Sequence, residues 1–207
     1  MIIRHGRTQG NAERRYIGAR TDEHVLDSEK RALAVQEDFD GARVIIATSP
    51  MRRAVETAQI MFPSVIRHGS GLHMLEELRE TDFGLFEGST HEELSADPAC
   101  RDIYQAWIDS GAEMAIPGGE SAKEARARSM AGLHKAVRLA VDERAEVLIV
   151  VAHGGTVMAV MSSLFQGGFY DYHVDNGDGY EFDVEVNDAG DFAVAGTYDR
   201  FCGRISA

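Results

Sequence analysis

Three short apolar runs constrain the fold of this chain more than any other feature of its sequence. They are Met1–Ile3, Val44–Ala47 and Val147–Ala152, and polar or glycine residues follow each of them. Uninterrupted apolar runs of this length are typical of strands that are covered on both faces, as in a parallel sheet. The sequence therefore predicts three buried parallel strands.

Helical patterns lie between and after these runs. Apolar residues recur at helical spacing in five segments, which are Ser28–Phe39, Met51–Met61, Asp102–Ile108, Ser121–Val141 and Thr156–Phe165. In the longest segment the predicted inner face consists of Ser129, Leu133, Val137 and Ala140. Strands and helices in alternation predict an α/β fold, a three-layer sandwich with a mostly parallel central sheet flanked by helices.

Two further segments complete the predicted architecture. Tyr180–Val186 and Phe192–Tyr198 alternate in polarity, which predicts a hairpin that extends one edge of the sheet. Residues 78–115 contain few strand signals and many turn residues, so we expect a cap-like excursion over the sheet, where a substrate cover could sit. A length of 207 residues suits a single domain, and no linker interrupts residues 1–207.

Composition narrows the range of partners. The formal net charge is −13, whereas nucleic acids and anionic membranes are bound by basic surfaces, so we expect neither as a partner. The longest apolar run is too short to cross a bilayer, and Arg4 interrupts any apolar targeting segment, which favours a cytoplasmic location. The two cysteines have no paired metal spacing. The sequence leaves open whether the protein forms a homodimer.

Polar clusters follow the three buried strands. Arg4 and His5 follow the first strand, Ser49 the second and His153 the third. Ligands of open parallel sheets bind at the carboxyl ends of the strands, so these clusters can converge in one crevice. Arg53 adds a guanidinium in the first turn of the next helix, whose N-terminal amides also attract anions. The pattern predicts a phosphate site.

A histidine in such a site can do more than bind. It can attack phosphorus and carry the phosphoryl group covalently, which divides one difficult displacement into two easier ones. The alkoxide of a phosphate ester leaves poorly, so a neighbouring acid must protonate it. The segment LEELRETDFGLFEG offers five carboxylates for this role, those of Glu76, Glu77, Glu80, Asp82 and Glu87.

Five ordered motifs give the chain a family resemblance. RHGRTQGN, SPMRRAVETA, LRETDFGLFEG, PGGES and AHGGT occur in the order that is found in the histidine phosphatase superfamily, the relatives of cofactor-dependent phosphoglycerate mutase. The resemblance implies a phosphoglycerate mutase-like fold. More narrowly, RRYIGARTDE, DFGLFEGSTHEELSADP and YDYHVDNGDGYEF resemble the α-ribazole phosphatase branch, which acts late in cobalamin assembly.

The resemblance also implies roles for individual residues. His5 matches the nucleophile that becomes phosphohistidine, and Glu80 matches the acid, which must start protonated. The positions that match the phosphate-binding residues of the family are Arg4, Asn11, Arg53 and His153. Three further residues could shape a substrate pocket, although an ordinary loop explains them about as well: Tyr16, Gly18 and Asp22.

The predicted activity is hydrolysis of a phosphomonoester, a small molecule, through phosphohistidine and with no metal or cofactor. The favoured substrate is α-ribazole 5'-phosphate. A broad-specificity sugar-phosphate phosphatase and a phosphoglycerate mutase are the alternatives within the family. A catalytically silent phosphate-binding protein is the alternative of another class, but such a relative is expected to lose His5 or Glu80, and both are present.

Overall fold

The computed structural model describes residues 1–34, 39–68, 71–187 and 190–204, which contain one six-stranded sheet. Its strands are β1 (Ile2–Arg4), β2 (Val44–Thr48), β3 (Leu72–Met74), β4 (Val147–Ala152), β5 (Gly179–Val186) and β6 (Phe192–Phe201). Their order across the sheet is β3-β2-β4-β1-β5-β6. The first four pair in parallel, whereas β5 runs antiparallel to both β1 and β6. The predictions of a mostly parallel sheet and an edge hairpin are confirmed.

Helices cover both faces of this sheet. They are α1 (Gln9–Ala12), α2 (Asp27–Ala32), α3 (Arg52–Met61), α4 (Pro63–His68), α5 (His91–Ala96), α6 (Arg101–Asp109), α7 (Ala122–Asp142) and α8 (Gly154–Leu164). The observed bounds of α3, α6, α7 and α8 agree with the predicted ones to within two residues. Ser121 begins α7 with a capping box, in which its hydroxyl accepts from the backbone N–H of Glu124.

The alternation of side chains along the parallel strands divides the core into two. Ile2 and Val150 face α7 and α8, where they pack with residues such as Leu133 and Val157. The next residue along each strand points to the opposite face of the sheet. On that face Ile3 and Val151 pack against α3 and its neighbours, with Ala54, Ala58, Met61 and Phe62. The predicted three-layer sandwich is confirmed, and all four predicted inner residues of α7 are buried.

A third apolar cluster belongs to the segment that we predicted to be an excursion. It contains Phe86, Leu94, Tyr104 and Trp107, together with Ile116 just beyond the predicted end. The rings of Phe86 and Tyr104 meet edge to face with centroids 5.3 Å apart. The segment therefore packs around an apolar centre of its own.

Two parts of the architecture differ from the sequence prediction. The helix predicted over Ser28–Phe39 ends at Ala32. Beyond it the backbone pairs with the C-terminal segment instead: Leu33 forms an antiparallel β-bridge with Arg204, and the backbone N–H of Ala34 donates to the carbonyl of Gly203. Part of its predicted continuation, residues 35–38, lies outside the described residues. The edge strand β3 was not predicted, because it has three residues and none of them is buried.

Candidate active site

The carboxyl ends of β1, β2 and β4 bring the predicted clusters together. These strands are neighbours in the sheet, so the residues that follow them meet although they are about 50 to 150 positions apart in the chain. The imidazole rings of His5 and His153 lie with their centroids 5.1 Å apart. Arg53, in the first turn of α3, donates from Nε to Nδ1 of His153 at 3.2 Å. The predicted clusters therefore meet at one edge of the sheet.

The hydrogen bonding of His5 fixes the position of its proton. His5 is buried, and its Nδ1 lies 2.7 Å from the carbonyl oxygen of Gly6. A carbonyl oxygen can only accept, so Nδ1 carries the proton and Nε2 keeps its lone pair. Burial, with the charges of Arg53 and Arg4, holds the pKa of His5 well below its usual range. The ring is therefore neutral near pH 7, with an unprotonated nitrogen.

His153 takes the opposite tautomer. The guanidinium of Arg53 can only donate, so Nδ1 of His153 accepts and its proton sits on Nε2. Nε2 lies 2.7 Å from Oγ of Ser49 and donates to it. Burial and the charge of Arg53 hold the pKa of His153 well below its usual range. The site therefore pairs one imidazole that offers a lone pair with another that offers an N–H.

Arg53 is completely buried and is held by backbone carbonyls. Its Nη1 donates to the carbonyl of Thr21 at 2.8 Å, and its Nη2 donates to that of Gly18 at 3.1 Å. Oδ1 of Asp22 lies 3.9 Å from Nη1. The fork of the guanidinium is thus fixed in one orientation beside the two imidazoles. Gly18 and Asp22, for which the sequence left a substrate pocket and an ordinary loop as alternatives, contact this arginine.

Arg4 has a donor that the described residues leave unused. Its Nη1 donates to the carbonyl of Val174 at 2.8 Å, whereas its buried Nε has no hydrogen-bond partner among the described residues. A buried donor without a partner costs about 1–3 kcal/mol, and such atoms are rare. An anion bound in the crevice would supply the missing acceptor.

Glu80 is attached to the start of α8. It is buried, its Oε1 accepts from its neighbour Thr81 at 2.8 Å, and its Oε2 accepts from the backbone N–H of Gly155 at 3.1 Å. The other candidate carboxylates have different surroundings. Glu76 is exposed, Glu77 pairs with Lys135, Asp82 pairs with Arg20, and Glu87 accepts from the backbone N–H of Gly18.

Asn11 reaches the site through a residue that the sequence did not single out. Its Oδ1 accepts from Nδ2 of Asn176 at 3.1 Å, and the same Nδ2 lies 3.0 Å from the carbonyl of His5. The backbone N–H of Gly177 donates to the carbonyl of Arg4 at 2.9 Å. The turn at residues 175–179, DNGDG, therefore holds the loop that carries His5. This turn lies within the motif YDYHVDNGDGYEF, but the contact was not predicted from the sequence.

A pair that was also missed, Arg128 on α7 and Glu120, supports the segment of Glu80. Nη1 of Arg128 donates to the carbonyls of Glu77 and Arg79 at 2.9 and 2.7 Å. Its Nε and Nη2 bind the carboxylate of Glu120 at 2.7 and 2.8 Å. The motif PGGES contains Glu120, which is the one sequence signal for this pair.

A cavity of about 150 Å³ opens beside Glu80, and Tyr16 lines it together with Thr81 and Gly155. Gly18 and Asp22 do not line it, so the structure separates the three predicted pocket residues. Within the described ranges, no group of three or more His, Cys, Asp or Glu side chains is placed to hold a metal ion. No helix in that part of the chain is long and apolar enough to cross a membrane.

Comparisons with known proteins show which proteins the chain is similar to. The chain is 32% identical to the glucosyl-3-phosphoglycerate phosphatase of Mycolicibacterium vanbaalenii over 169 residues, and this match covers 79% of this chain and 72% of the relative. It is 27% identical to the probable phosphoglycerate mutase GpmB of Salmonella choleraesuis over 168 residues, and that match covers 79% of this chain and 73% of the relative.

The fold is similar to that of the α-ribazole phosphatase from Shigella flexneri, with a TM-score of 0.71, 23% identity and coverage of 94% of this chain and 93% of that one. A family model described as the histidine phosphatase superfamily, branch 1, matches residues 1–189. The chain therefore belongs to branch 1 of the histidine phosphatase superfamily.

Proposed function

We propose that this protein hydrolyses phosphomonoesters through a phosphohistidine on His5. The observation that carries the proposal is the neutral, buried imidazole of His5, whose Nε2 lone pair lies in a site that Arg4 and Arg53 make positive. The molecule as a whole carries a formal net charge of −13. An anionic ester would therefore be held by these local cations against the field of the protein.

Binding uses donors that are already oriented. Nε of Arg4 gains an acceptor. The guanidinium of Arg53, whose donors are held by His153 and backbone carbonyls, contributes a fixed positive charge beside the phosphoryl group. His153 turns its Nε2–H from Ser49 to a phosphoryl oxygen. Charge-assisted hydrogen bonds of this kind are about twice as strong as neutral ones, which favours the charge that develops in transfer.

The first chemical step forms a bond from Nε2 of His5 to phosphorus and breaks the bond from phosphorus to the ester oxygen. Glu80 gives its proton to that oxygen, and the alcohol leaves. Nδ1–H of His5 keeps its hydrogen bond to Gly6 and so keeps the ring aligned. In the second step water attacks phosphorus, its proton passes to Glu80, and the N–P electron pair returns to Nε2. No metal enters either step of this proposal.

Turnover of para-nitrophenyl phosphate in the presence of a chelator tests the proposal. We expect hydrolysis by the wild type, and phosphate label that becomes attached to the protein. His5→Ala should abolish both, whereas His24→Ala, which replaces an exposed histidine, should leave both unchanged. An inactive wild type, or full activity in His5→Ala, defeats the proposal and favours a silent phosphate-binding protein.

The favoured substrate within this proposal is α-ribazole 5'-phosphate, which assigns the enzyme to the cytoplasm and to a late step of cobalamin assembly. The motif resemblance and the similarity of fold to the Shigella flexneri enzyme support this choice. Similarity to the mycobacterial relative favours a second candidate, glucosyl-3-phosphoglycerate. Comparing kcat/KM for these two esters, 3-phosphoglycerate and common sugar phosphates ranks the candidates. A higher value for any other ester overturns the choice of substrate without affecting the phosphohistidine proposal.

A further inference from the structure

The cavity of about 150 Å³ lies next to the backbone that holds the carboxylate of Glu80. Thr81 and Gly155 line its near end, and their backbone N–H groups are the two that bind the carboxylate of Glu80. An acid must stand next to the oxygen that it protonates. The group attached to that oxygen therefore extends past Glu80 into this cavity.

Most of the cavity wall is aromatic or aliphatic. The residues that form this part of the wall include Tyr16, Phe83, Trp107, Ile116, Met158 and Phe169. The ring of Tyr16 is braced by edge contacts, with centroids 5.2 Å from Phe83 and 5.8 Å from Trp107. Its hydroxyl is 2.8 Å from that of Tyr104, so its polar atom is already engaged. The rings therefore present carbon surface to a ligand.

The volume suits one aromatic ring. An apolar cavity of roughly 150 Å³, engineered in an unrelated protein, binds benzene. Burial of apolar area contributes about 25 cal/mol per Å², and edge or stacked contacts between rings add about 0.5–1.5 kcal/mol. A polyhydroxyl group of the same size would lose hydrogen bonds to water that these residues cannot replace.

The charges around the cavity argue against an anionic leaving group. The described lining residues include Glu113 and Glu120 and no lysine or arginine. Glu113 pairs with Arg126, and Glu120 is held by Arg79 and Arg128, so these cations are already paired. A second carboxylate on the ester would enter a cavity with acidic side chains and no cation of its own.

We propose that this cavity is the leaving-group subsite and that it takes an uncharged aromatic group. The proposal rests on the phosphatase function proposed above. It assigns the selectivity of the enzyme to the alcohol of its substrate: esters whose alcohol carries an uncharged aromatic ring are preferred over those of glycerol, simple sugars and hydroxy acids. Tyr16, Trp107 and Phe169 are the specificity-determining residues.

Synthetic esters test this subsite directly. Benzyl phosphate and glycerol 1-phosphate both release a primary alcohol. We expect kcat/KM to be at least about tenfold higher for the benzyl ester, which corresponds to a difference of about 1.4 kcal/mol in activation free energy. The pair 4-methylbenzyl and 4-carboxybenzyl phosphate isolates the charge, and the carboxylate should lower kcat/KM by about tenfold or more. Equal values within both pairs overturn the subsite proposal, whereas absence of hydrolysis of every ester overturns the phosphatase proposal instead.

Two variants locate the effect in the cavity. Phe169→Ala should remove most of the preference for benzyl phosphate over glycerol 1-phosphate, measured as the ratio of the two kcat/KM values, because only the benzyl ester uses the ring. Met158→Lys places a cation in the half-buried wall and should raise kcat/KM for the 4-carboxybenzyl ester relative to the 4-methylbenzyl ester, with Met158→Leu as the matched control. Unchanged ratios in both variants would remove the cavity from substrate selection.

Discussion

The backbone N–H of Gly155 donates to Oε2 of Glu80 at 3.1 Å, and no side chain fits between the two residues. A β-carbon built on Gly155 would overlap Oε1 of Glu80 and approach Oγ1 of Thr81 to 3.0 Å. The neighbouring Gly154 is different, because a β-carbon there would meet the side chain of Arg4 at an ordinary 3.4 Å. Glycine at position 155 is thus a requirement of space around the acid.

The adjacent glycines give a matched pair of variants. Gly155→Ala should lower kcat/KM for alkyl phosphates by about 10²-fold or more, because the carboxylate must move away from the leaving oxygen. Gly154→Ala should lower it much less, because its methyl group meets Nε of Arg4 only at van der Waals distance and leaves the carboxylate in place. Both replacements favour the helix by up to about 1 kcal/mol. At position 155 the overlap with the buried carboxylate costs about 1–3 kcal/mol, so Gly155→Ala should have a lower Tm than Gly154→Ala, and both are assayed well below that temperature. Equal activity of the two variants, measured with benzyl phosphate, would mean that the carboxylate does not act from this position.

The acid role of Glu80 predicts a dependence on the leaving group. Glu80→Gln keeps the size of the side chain but has no proton to give. We expect kcat/KM to fall by about 10²–10⁴-fold for benzyl phosphate and by less than about tenfold for para-nitrophenyl phosphate, whose phenolate leaves without help. Because kcat/KM reports the first transfer only, the later role of Glu80 as a base does not obscure the comparison. Equal losses for the two esters would remove Glu80 from the acid role.

The pair of Arg128 and Glu120 predicts a positioning effect on the same step. Arg128→Ala removes two donors from the backbone that carries Glu80 and should lower kcat/KM for benzyl phosphate by about tenfold to 10²-fold. Arg126→Ala, two residues away on α7, removes a half-exposed ion pair with Glu113 and should leave activity within about twofold.

A double-mutant cycle separates positioning from general damage. If Arg128 acts by placing the carboxyl group, Arg128→Ala should have little further effect on kcat/KM in a Glu80→Gln background. Additive losses would show that Arg128 acts on something other than Glu80. The para-nitrophenyl ester serves as the internal reference, since its hydrolysis depends weakly on the acid.

The parts of the fold that the sequence predicted are those whose signal is local. β1, β2 and β4 have apolar runs because both of their faces are covered, and such runs are visible in any window of the sequence. β3 has no such run, since it lies at the sheet edge and Met74 is 60% exposed. The helix before Leu33 ends early because of pairing with Arg204, a contact that no local pattern encodes.

The candidate site divides in the same way. The chemical residues that follow the buried strands could be predicted, because strand ends of a parallel sheet share one edge. Asn176, Glu120 and Arg128 could not be predicted, because Asn176 and Arg128 bind backbone carbonyls far away in the sequence and Glu120 acts through its ion pair with Arg128. In the sequence, a buried arginine that binds backbone carbonyls cannot be distinguished from a solvated arginine on a helix surface. The catalytic candidates could therefore be predicted from the sequence, whereas the residues that hold them in position could not.

The two buried imidazoles predict how stability depends on pH. The folded-state pKa values of His5 and His153 lie well below 6.5, the value for a free histidine. Between about pH 6.5 and 5.5 these two histidines therefore bind protons in the unfolded chain but not in the folded protein. The free energy of unfolding consequently falls as the pH falls. Each imidazole contributes at most about 1.4 kcal/mol per pH unit.

Urea unfolding across this pH range measures the effect. His5→Asn and His153→Asn should each reduce the slope of unfolding free energy against pH by up to one proton, whatever they do to stability at pH 7. Ser49→Ala is the matched control, because it disturbs the same buried pocket without removing an imidazole; it should lower stability by about 1–2 kcal/mol and keep the wild-type slope. Carboxylates that titrate at lower pH are common to all four proteins, so they cancel in the comparison. A slope that is the same in both histidine variants and the wild type would mean that these rings take up protons in the folded protein as readily as in the unfolded chain, and the neutral nucleophile inferred for His5 would then be wrong.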